Sequence, residues 1–179
     1  MMEIVTGKQG KAHIKAADIG SMQSAILGSG NYVLPTAEKL AAEVTSQNNV
    51  RIFAGDVSMN GRVGRIRTGD YEDIKIQNGA SGYKRCDLLV VAYKSENGTE
   101  SMTLKLYAGT PTTGTPELPS HVEGNILEGD NAAEFPVYRI DIDGISIPVA
   151  TPLFEEMEGI GMISKDTVAA FIELGMSET

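Results

Sequence analysis

Residues 62–92, RVGRIRTGDYEDIKIQNGASGYKRCDLLVVA, decide the fold. Apolar and polar residues alternate along much of this stretch, and the run at residues 87–93 is almost continuously apolar. Alternation is typical of a strand with one buried face, whereas an unbroken apolar run indicates a strand covered on both faces. Turn signals recur about every 8 to 12 residues, as they do in sandwiches and barrels. We therefore predict an all-β fold, an antiparallel β-sandwich of jelly-roll type.

Three hairpins are predicted from turn chemistry on either side of this stretch. Asn-Gly pairs at residues 60–61 and 97–98 tolerate positive φ angles, which tight hairpin turns require. Asp143-Gly144 predicts a third hairpin, with Ile145 and Ile147 on its return strand. Each pair is flanked by alternating apolar residues, which predicts that the joined strands are antiparallel neighbours.

Further turns are expected at Gly55-Asp56 and Gly69-Asp70, so that residues 51–76 would form short strands. Residues 35–49 allow two interpretations. Their Pro, Ala, Glu, Lys and Leu content favours a helix, whereas the alternation around residues 40–44 favours a hairpin with a polar loop at residues 45–49. We favour the hairpin, because the chain on both sides is predicted to be β.

A short helix is predicted at residues 16–27. Asp18 is the candidate N-cap, and Ile19, Met22 and Ile26 would share one face. Gly20 near its start argues against a very stable helix.

A second helix is predicted near the C-terminus, at residues 165–174. The apolar stripe of this helix is formed by Val168, Phe171 and Ile172, which are the candidate contact with another copy or a partner. Because so short a helix is marginal alone, the stripe must dock, either on its own sandwich or on another copy. The expected organisation is a β-sandwich domain at residues 1–154, followed by a connector and the C-terminal helix at residues 155–179.

Composition excludes several classes of function. The chain has 179 residues, 41% hydrophobic residues and a net charge of −9. An acidic surface repels phosphate backbones, and we interpret the one basic group, Arg62, Arg65 and Arg67, as a solvated strand face. No apolar stretch approaches the roughly 20 residues of a membrane span, and the N-terminal residues lack the apolar region of a signal peptide. We expect no nucleic-acid or membrane partner, and a reducing cytoplasm as the place of synthesis.

No catalytic, cofactor or metal site is predicted. The chain has a single cysteine, Cys86, interpreted as a buried inert thiol, and His13 and His121 lack ligands at metal-binding spacing. Asp141 and Asp143 resemble a fragment of a calcium loop whose remaining ligands are missing. A serine-nucleophile elbow is absent from the sequence. We expect the protein not to be an enzyme.

Two sets of residues are singled out as candidates for structural or binding roles. Arg85 and Asp87 are two apart on a predicted strand, so they point to the same side and are expected to form a structural ion pair bonded to a nearby loop. The candidates for stacking against a glycan are the tyrosines Tyr32, Tyr71, Tyr83 and Tyr107. The absence of Trp weakens a sugar-binding interpretation.

Three further segments form one pattern: a strand core with Gly82, Arg85 and residues 87–90, a Gly-Thr-Pro loop at residues 109–111, and a later strand at residues 136–140. This pattern resembles structural proteins from the tail tip, baseplate or fibre base of tailed bacteriophages that infect Gram-positive bacteria. The resemblance covers roughly residues 3–154.

The resemblance implies a β-sandwich adaptor that assembles as a homo-oligomer, a trimer, and holds a receptor-binding or fibre module of the virion. It implies assembly in the bacterial host cytoplasm and no catalytic residues. Related chains often run on into a long fibre or carbohydrate-binding region, whereas this sequence ends soon after the predicted helix, which favours a short adaptor, a capsid-attached fibre base or a decoration protein. The alternatives left open are a head-fibre or capsid-decoration protein and a carbohydrate-binding module for host cell-wall glycans.

Overall fold

The structure, a computed structural model, describes residues 14–154 and 156–157. In that part of the chain it contains one α-helix, one short 3-10 helix and eight β-strands. In chain order they are α1 (Ala16–Leu27), β1 (Asn31–Val33), β2 (Ala42–Ser46), β3 (Asn49–Met59), β4 (Arg62–Lys75), β5 (Lys84–Glu96), β6 (Thr99–Tyr107), the 3-10 helix Ile126–Glu128, β7 (Ala132–Asp143) and β8 (Val149–Pro152). The prediction of a mainly β, antiparallel protein is confirmed.

The strands form two four-stranded antiparallel sheets that follow one another along the chain. In the first sheet, β4 pairs with the whole length of β3, while β1 and β2 pair with opposite ends of β3. The second sheet has the order β6-β5-β7-β8. The interior strands are therefore β3 in the first sheet and β5 and β7 in the second, and these three strands carry most of the buried residues.

One hydrophobic core receives side chains from both sheets. Its fully buried members include Val50, Ile52 and Met59 from β3, Leu89 from β5 and Ile140 from β7. Because these residues alternate along their strands, the inner face of each sheet is apolar. On β5, Cys86, Leu88 and Val90 are also fully buried, which confirms that both faces of this strand are covered.

The hairpins predicted from Asn-Gly pairs are confirmed. Residues 60–61 join β3 to β4 and residues 97–98 join β5 to β6, with positive φ at both positions of each turn. The hairpin interpretation of residues 35–49 is also confirmed, since Val44 of β2 pairs with Val50 of β3. Its turn is tighter than predicted and consists of residues 47–48.

The turns predicted at Gly55-Asp56 and Gly69-Asp70 are wrong, because both pairs lie inside long strands. Gly55 pairs with Ile66, and Phe53 pairs with Tyr71, so residues 67–70 stand opposite a single residue of β3. The glycine at position 69 has a φ of +89° within this bulge. The Gly69-Asp70 pair therefore bends the edge strand β4 locally and does not reverse the chain.

The return strand of the third hairpin begins later than predicted. Ile145 and Ile147 lie in the connecting loop, 70% and 66% exposed, and β8 starts at Val149, which pairs with Asp141. The residue before it is a proline, which has no N–H to give to a strand ladder. The loop at residues 144–148 is correspondingly long.

The helix predicted at residues 16–27 is confirmed as α1, but its N-cap is Lys15 and not Asp18. The Asp18 carboxylate accepts a hydrogen bond of 2.8 Å from the backbone N–H of Lys15, as the third residue of a capping box does. The helix predicted at residues 165–174, with Val168, Phe171 and Ile172, lies outside the described residues.

Candidate functional site

Arg85 and Asp87 form a buried ion pair on β5. The Arg85 Nε–H donates to Asp87 Oδ1 at 2.7 Å, and Nη2–H donates to Oδ2 at 3.2 Å. Their side chains are only 7% and 0% exposed. A two-bond geometry of this kind holds both planar groups in one orientation, which suits the structural role predicted for the pair.

The Arg85–Asp87 pair also forms hydrogen bonds with two connecting segments and so holds them against β5. Arg85 Nη2–H donates to the carbonyl oxygen of Gln77 at 2.6 Å, and the backbone N–H of Gly109 donates to Asp87 Oδ1 at 2.9 Å. A Cβ atom at Gly109 would lie 2.1 Å from the carbonyl oxygen of Cys86, so only glycine fits there. Asp87 thus joins the Arg-x-Asp motif to the Gly-Thr-Pro loop.

The third segment of the resemblance lies beside the same strand. Residues 136–140 belong to β7, which pairs with β5 so that Ile140 stands opposite Asp87 and Tyr138 opposite Leu89. The hydroxyl of Tyr138 donates to the carbonyl oxygen of Leu40 at 3.0 Å. Segments that are far apart in sequence therefore meet at one junction, defined here as the β5 junction: Gln77, Arg85, Asp87, Gly109 and Tyr138.

A second buried carboxylate, Glu134 on β7, holds the long segment between β6 and β7. Its oxygens accept hydrogen bonds from the Val122 backbone N–H at 2.8 Å, the Lys105 ammonium at 2.9 Å and the Tyr107 hydroxyl at 2.8 Å. The Glu134 side chain is 4% exposed. Sequence analysis missed this residue, because a single Glu in an acidic stretch carries no signal that it is buried.

Glu134 makes the stability of the protein depend on pH. Burial alone would raise the pKa of Glu134, but the hydrogen bonds from Val122, Lys105 and Tyr107 outweigh it and hold the pKa below its usual value of 4.5. A carboxylate with a lowered pKa stabilises the folded state above its unfolded pKa, and that contribution is lost as the pH falls through the folded pKa.

We expect Glu134→Gln to lower the free energy of unfolding at pH 7 by about 1–3 kcal/mol, because a hydrogen-bonded buried charge is removed. The deficit relative to wild type should shrink as the pH falls below about 4.5. Urea denaturation at pH 7, 5 and 3.5 measures it. Glu96→Gln is the control, since Glu96 pairs with Lys94 while both side chains are 63% exposed. A deficit that is the same at every pH would contradict the assignment.

The solvated strand face predicted for the three arginines of β4 is confirmed for Arg65 and Arg67, which are exposed, but not for Arg62. Arg62 pairs with Glu100 at 3.0 Å and its side chain is only 15% exposed, while Arg65 pairs with the buried Asp56. Arg67 is exposed in the bulge. Because two of the three charges are matched by carboxylates, the group offers little attraction to phosphate.

The four candidate tyrosines do not come together as a stacking platform. Tyr32 and Tyr71 lie on β1 and β4 of the first sheet, whereas Tyr107 lies at the end of β6 and Tyr83 immediately before β5. Tyr71 is covered on one face by the Arg51 guanidinium, 3.6 Å from the ring centre. Tyr107 uses its hydroxyl to bond Glu134. Among the described residues the one close aromatic pair is Tyr138 with Phe154.

The described part of the chain also shows features that concern metal binding, the reactivity of Cys86 and the crossing of a membrane by a helix. Within it, no group of three or more His, Cys, Asp or Glu side chains is arranged to hold a metal ion. Cys86 is fully buried, and burial raises the pKa of its thiol, which keeps it protonated at neutral pH. None of the helices described there is long and apolar enough to cross a membrane.

No protein-family model matches the chain, and a search of curated proteins finds no match. Functional inference therefore begins with the β5 junction.

Proposed function

We propose that the protein is a structural component of a tailed bacteriophage virion, an adaptor of the tail or baseplate that self-assembles, as a trimer, and holds a receptor-binding or fibre module. Its partners are copies of itself and other virion proteins, with no nucleic acid or membrane among them. It is assembled in the cytoplasm of the bacterial host. The role is not enzymatic.

The β5 junction is the observation that carries this proposal. Of the three segments on which the resemblance to phage structural proteins depends, the first lies largely in β5, the Gly-Thr-Pro loop bonds to it through Gly109, and residues 136–140 pair with it in β7. Gly109, Asp87 and Arg85 are joined by direct hydrogen bonds. A sequence pattern in which distant members are joined through a buried ion pair is more informative than the same residues scattered over the surface, because each bonded member constrains the others.

The proposal includes a finer description of the fold, a sandwich in which the two sheets pack face to face. Support comes from the single core shared by both sheets and from a cavity of about 70 Å³ lined by residues of β4 and β6, such as Ile66 and Leu104. The strand order places β1–β4 in one sheet and β5–β8 in the other. This order favours two consecutive four-stranded units over a jelly roll, which contains two Greek keys.

Self-assembly is supported by the edge strand β6. It spans nine residues, Thr99–Tyr107, and runs without a register shift or a proline. Among the described residues its one partner strand is β5, so its other side is an open edge there. Monomeric proteins usually protect such an edge with a bulge, a proline or a free lysine. The lysine here, Lys105, is bonded to Glu134 and Tyr107. A regular, unprotected edge suits pairing with another copy.

We expect purified full-length protein to have about three times the chain mass of 19.1 kDa in multi-angle light scattering at pH 7. The measured mass should stay the same on tenfold dilution from about 50 µM, because obligate interfaces survive at such concentrations. The mass of one chain at every concentration would contradict self-assembly. A mass of two chains would support self-assembly but contradict the proposed trimer.

The described residues give less support to a glycan-binding module. Sugar sites that depend on stacking need aromatic rings on one surface, and Tyr32, Tyr71, Tyr83 and Tyr107 are divided between the two sheets and their connections. A head-fibre or capsid-decoration role would use the same features as the tail adaptor. The position of the chain on the particle separates these two roles.

A further inference from the structure

Helix α1 contacts the body of the protein through its small residues. Gly20 and Ser24 are its buried members. A Cβ atom at Gly61, in the β3–β4 turn, would lie 2.0 Å from the carbonyl oxygen of Gly20. The helix therefore lies directly against the turn, backbone to backbone, and uses its small face for this contact.

Three large apolar residues of α1 point away from that contact. Ile19, Met22 and Ile26 are 49%, 49% and 60% exposed. Their spacing of three and four residues places them in one line along the helix, which is defined here as the α1 stripe. A surface helix normally turns such a stripe toward a core, so the α1 stripe lacks its usual cover among the described residues.

We propose that the α1 stripe is the docking site for the C-terminal segment of the same chain, residues 158–179, through Val168, Phe171 and Ile172. The sequence predicts a helix at residues 165–174 whose three apolar residues also form one stripe. Two short amphipathic helices that are each marginal alone would bury their apolar faces against each other.

The size of the α1 stripe favours a tethered occupant over a separate molecule. Three half-exposed aliphatic side chains make a patch on the order of 300 Å². Stable complexes between separate proteins bury about 800 Å² on each partner. A segment of the same chain is held at a high effective concentration, in the millimolar range for short linkers, and therefore binds stably to a smaller patch.

The chain leaves the described structure within reach of the α1 stripe. The backbone N–H of Met157 donates to the carbonyl oxygen of Val33 at 3.0 Å, so the exit point lies beside β1. Residues 27–33 span at most about 20 Å, and Met22 lies about 8 Å from Leu27 along the helix. Residues 157–168 reach about 36 Å when extended, which exceeds the sum of these two distances.

The charge on α1 is also compatible with this occupant. Residues 158–179 carry four acidic side chains and one lysine. Helix α1 carries one charged residue, Asp18, whose carboxylate accepts the Lys15 N–H at the start of the helix. Because the α1 stripe itself is uncharged, an acidic segment approaches it without facing a row of carboxylates.

Hydrogen exchange of the full-length protein tests the proposal. We expect the amides of α1 to exchange at least about fivefold faster in Phe171→Lys than in wild type, because losing a docked partner makes local opening easier. Ala170→Lys is the matched control: it adds the same charge on the opposite side of the predicted helix, and α1 should exchange as in wild type. The amides of β5 report whether the fold is intact. Equal exchange of α1 in Phe171→Lys and wild type would overturn the proposal.

Disulfide trapping identifies the occupant. In full-length protein carrying Met22→Cys and Phe171→Cys, mild oxidation should give a bond within one chain, while the buried Cys86 stays reduced. The control pair, Lys75→Cys with Phe171→Cys, places the first thiol at the far end of β4 and should form no such bond. A bond between two chains would assign the α1 stripe to a second copy and overturn the proposal. Trapping no more efficient than in the control pair would also overturn the proposal. The same holds if the exchange of α1 responds to Ile4→Lys, a substitution in the N-terminal residues that precede α1, but not to Phe171→Lys.

Discussion

Replacing Arg85 with methionine is expected to lower the free energy of unfolding by about 3–5 kcal/mol. The substitution leaves the Asp87 carboxylate, which is fully buried, without its cation. It also removes the donor to the Gln77 carbonyl oxygen. An uncompensated charge in the interior costs far more than an ion pair contributes at the surface, because water no longer solvates it.

Arg139→Met is the matched control for this substitution. Arg139 and Asp141 have the same spacing on the neighbouring strand β7 and bond at 2.9 Å, but their side chains are 36% and 41% exposed. Removing a solvent-exposed pair changes stability by about 0–1 kcal/mol. Urea denaturation of both variants at pH 7 gives the comparison. Losses of equal size would mean that the Arg85–Asp87 pair does not organise the β5 junction.

Leu89→Ala is expected to lower the free energy of unfolding by about 2–5 kcal/mol. Leu89 is fully buried on β5 and belongs to the core that both sheets share. Truncation removes buried apolar surface and leaves a cavity that the paired strands on either side cannot close. The large loss follows from the burial of Leu89 in a core that receives side chains from both sheets.

The control for Leu89→Ala is Leu118→Ala, in the segment between β6 and β7. Leu118 is 41% exposed, so its truncation should change stability by less than about 0.5 kcal/mol. Thermal unfolding followed by circular dichroism compares the two variants under one set of conditions. A loss at Leu89 no greater than that at Leu118 would contradict a common core between the sheets.

Local chemistry predicted the hairpins well but not the lengths of the strands. The Asn-Gly pairs at residues 60–61 and 97–98 have φ requirements that few other structures satisfy, so their sequence was specific. Gly55-Asp56 and Gly69-Asp70 have similar chemistry, yet each lies inside a strand. Whether such a pair reverses the chain depends on the pairing of its neighbours, which is a tertiary property.

The candidate site was predictable to the same limited degree. Spacing alone brought Arg85 and Asp87 to one side of a strand, but their burial depends on Gln77 and Gly109, which reach them from other segments. Glu134 had no such signal, because its three donors come from β6 and a loop. Buried polar contacts between distant segments are set by packing and leave little trace in local sequence.

Helix α1 also shows that local sequence does not determine packing. The spacing of Ile19, Met22 and Ile26 correctly predicted a helix with one apolar line. Such a line usually faces a core, but among the described residues Gly20 and Ser24 make the contact with the sheet instead. Periodicity predicts that a face exists, whereas the close approach of Gly61 decides which face is used.

The proposed virion role is tested most directly by peptide mass spectrometry of phage particles purified from cultures, infected or induced, that express the chain. The proposed function predicts that its peptides are present at a fixed ratio to the tail proteins and remain after the particles are washed in high salt. Antibody labelling should then place it at the tail tip or baseplate, and labelling of the head would favour the decoration role. Particles that lack the chain while the infected cell contains it would contradict the proposed function.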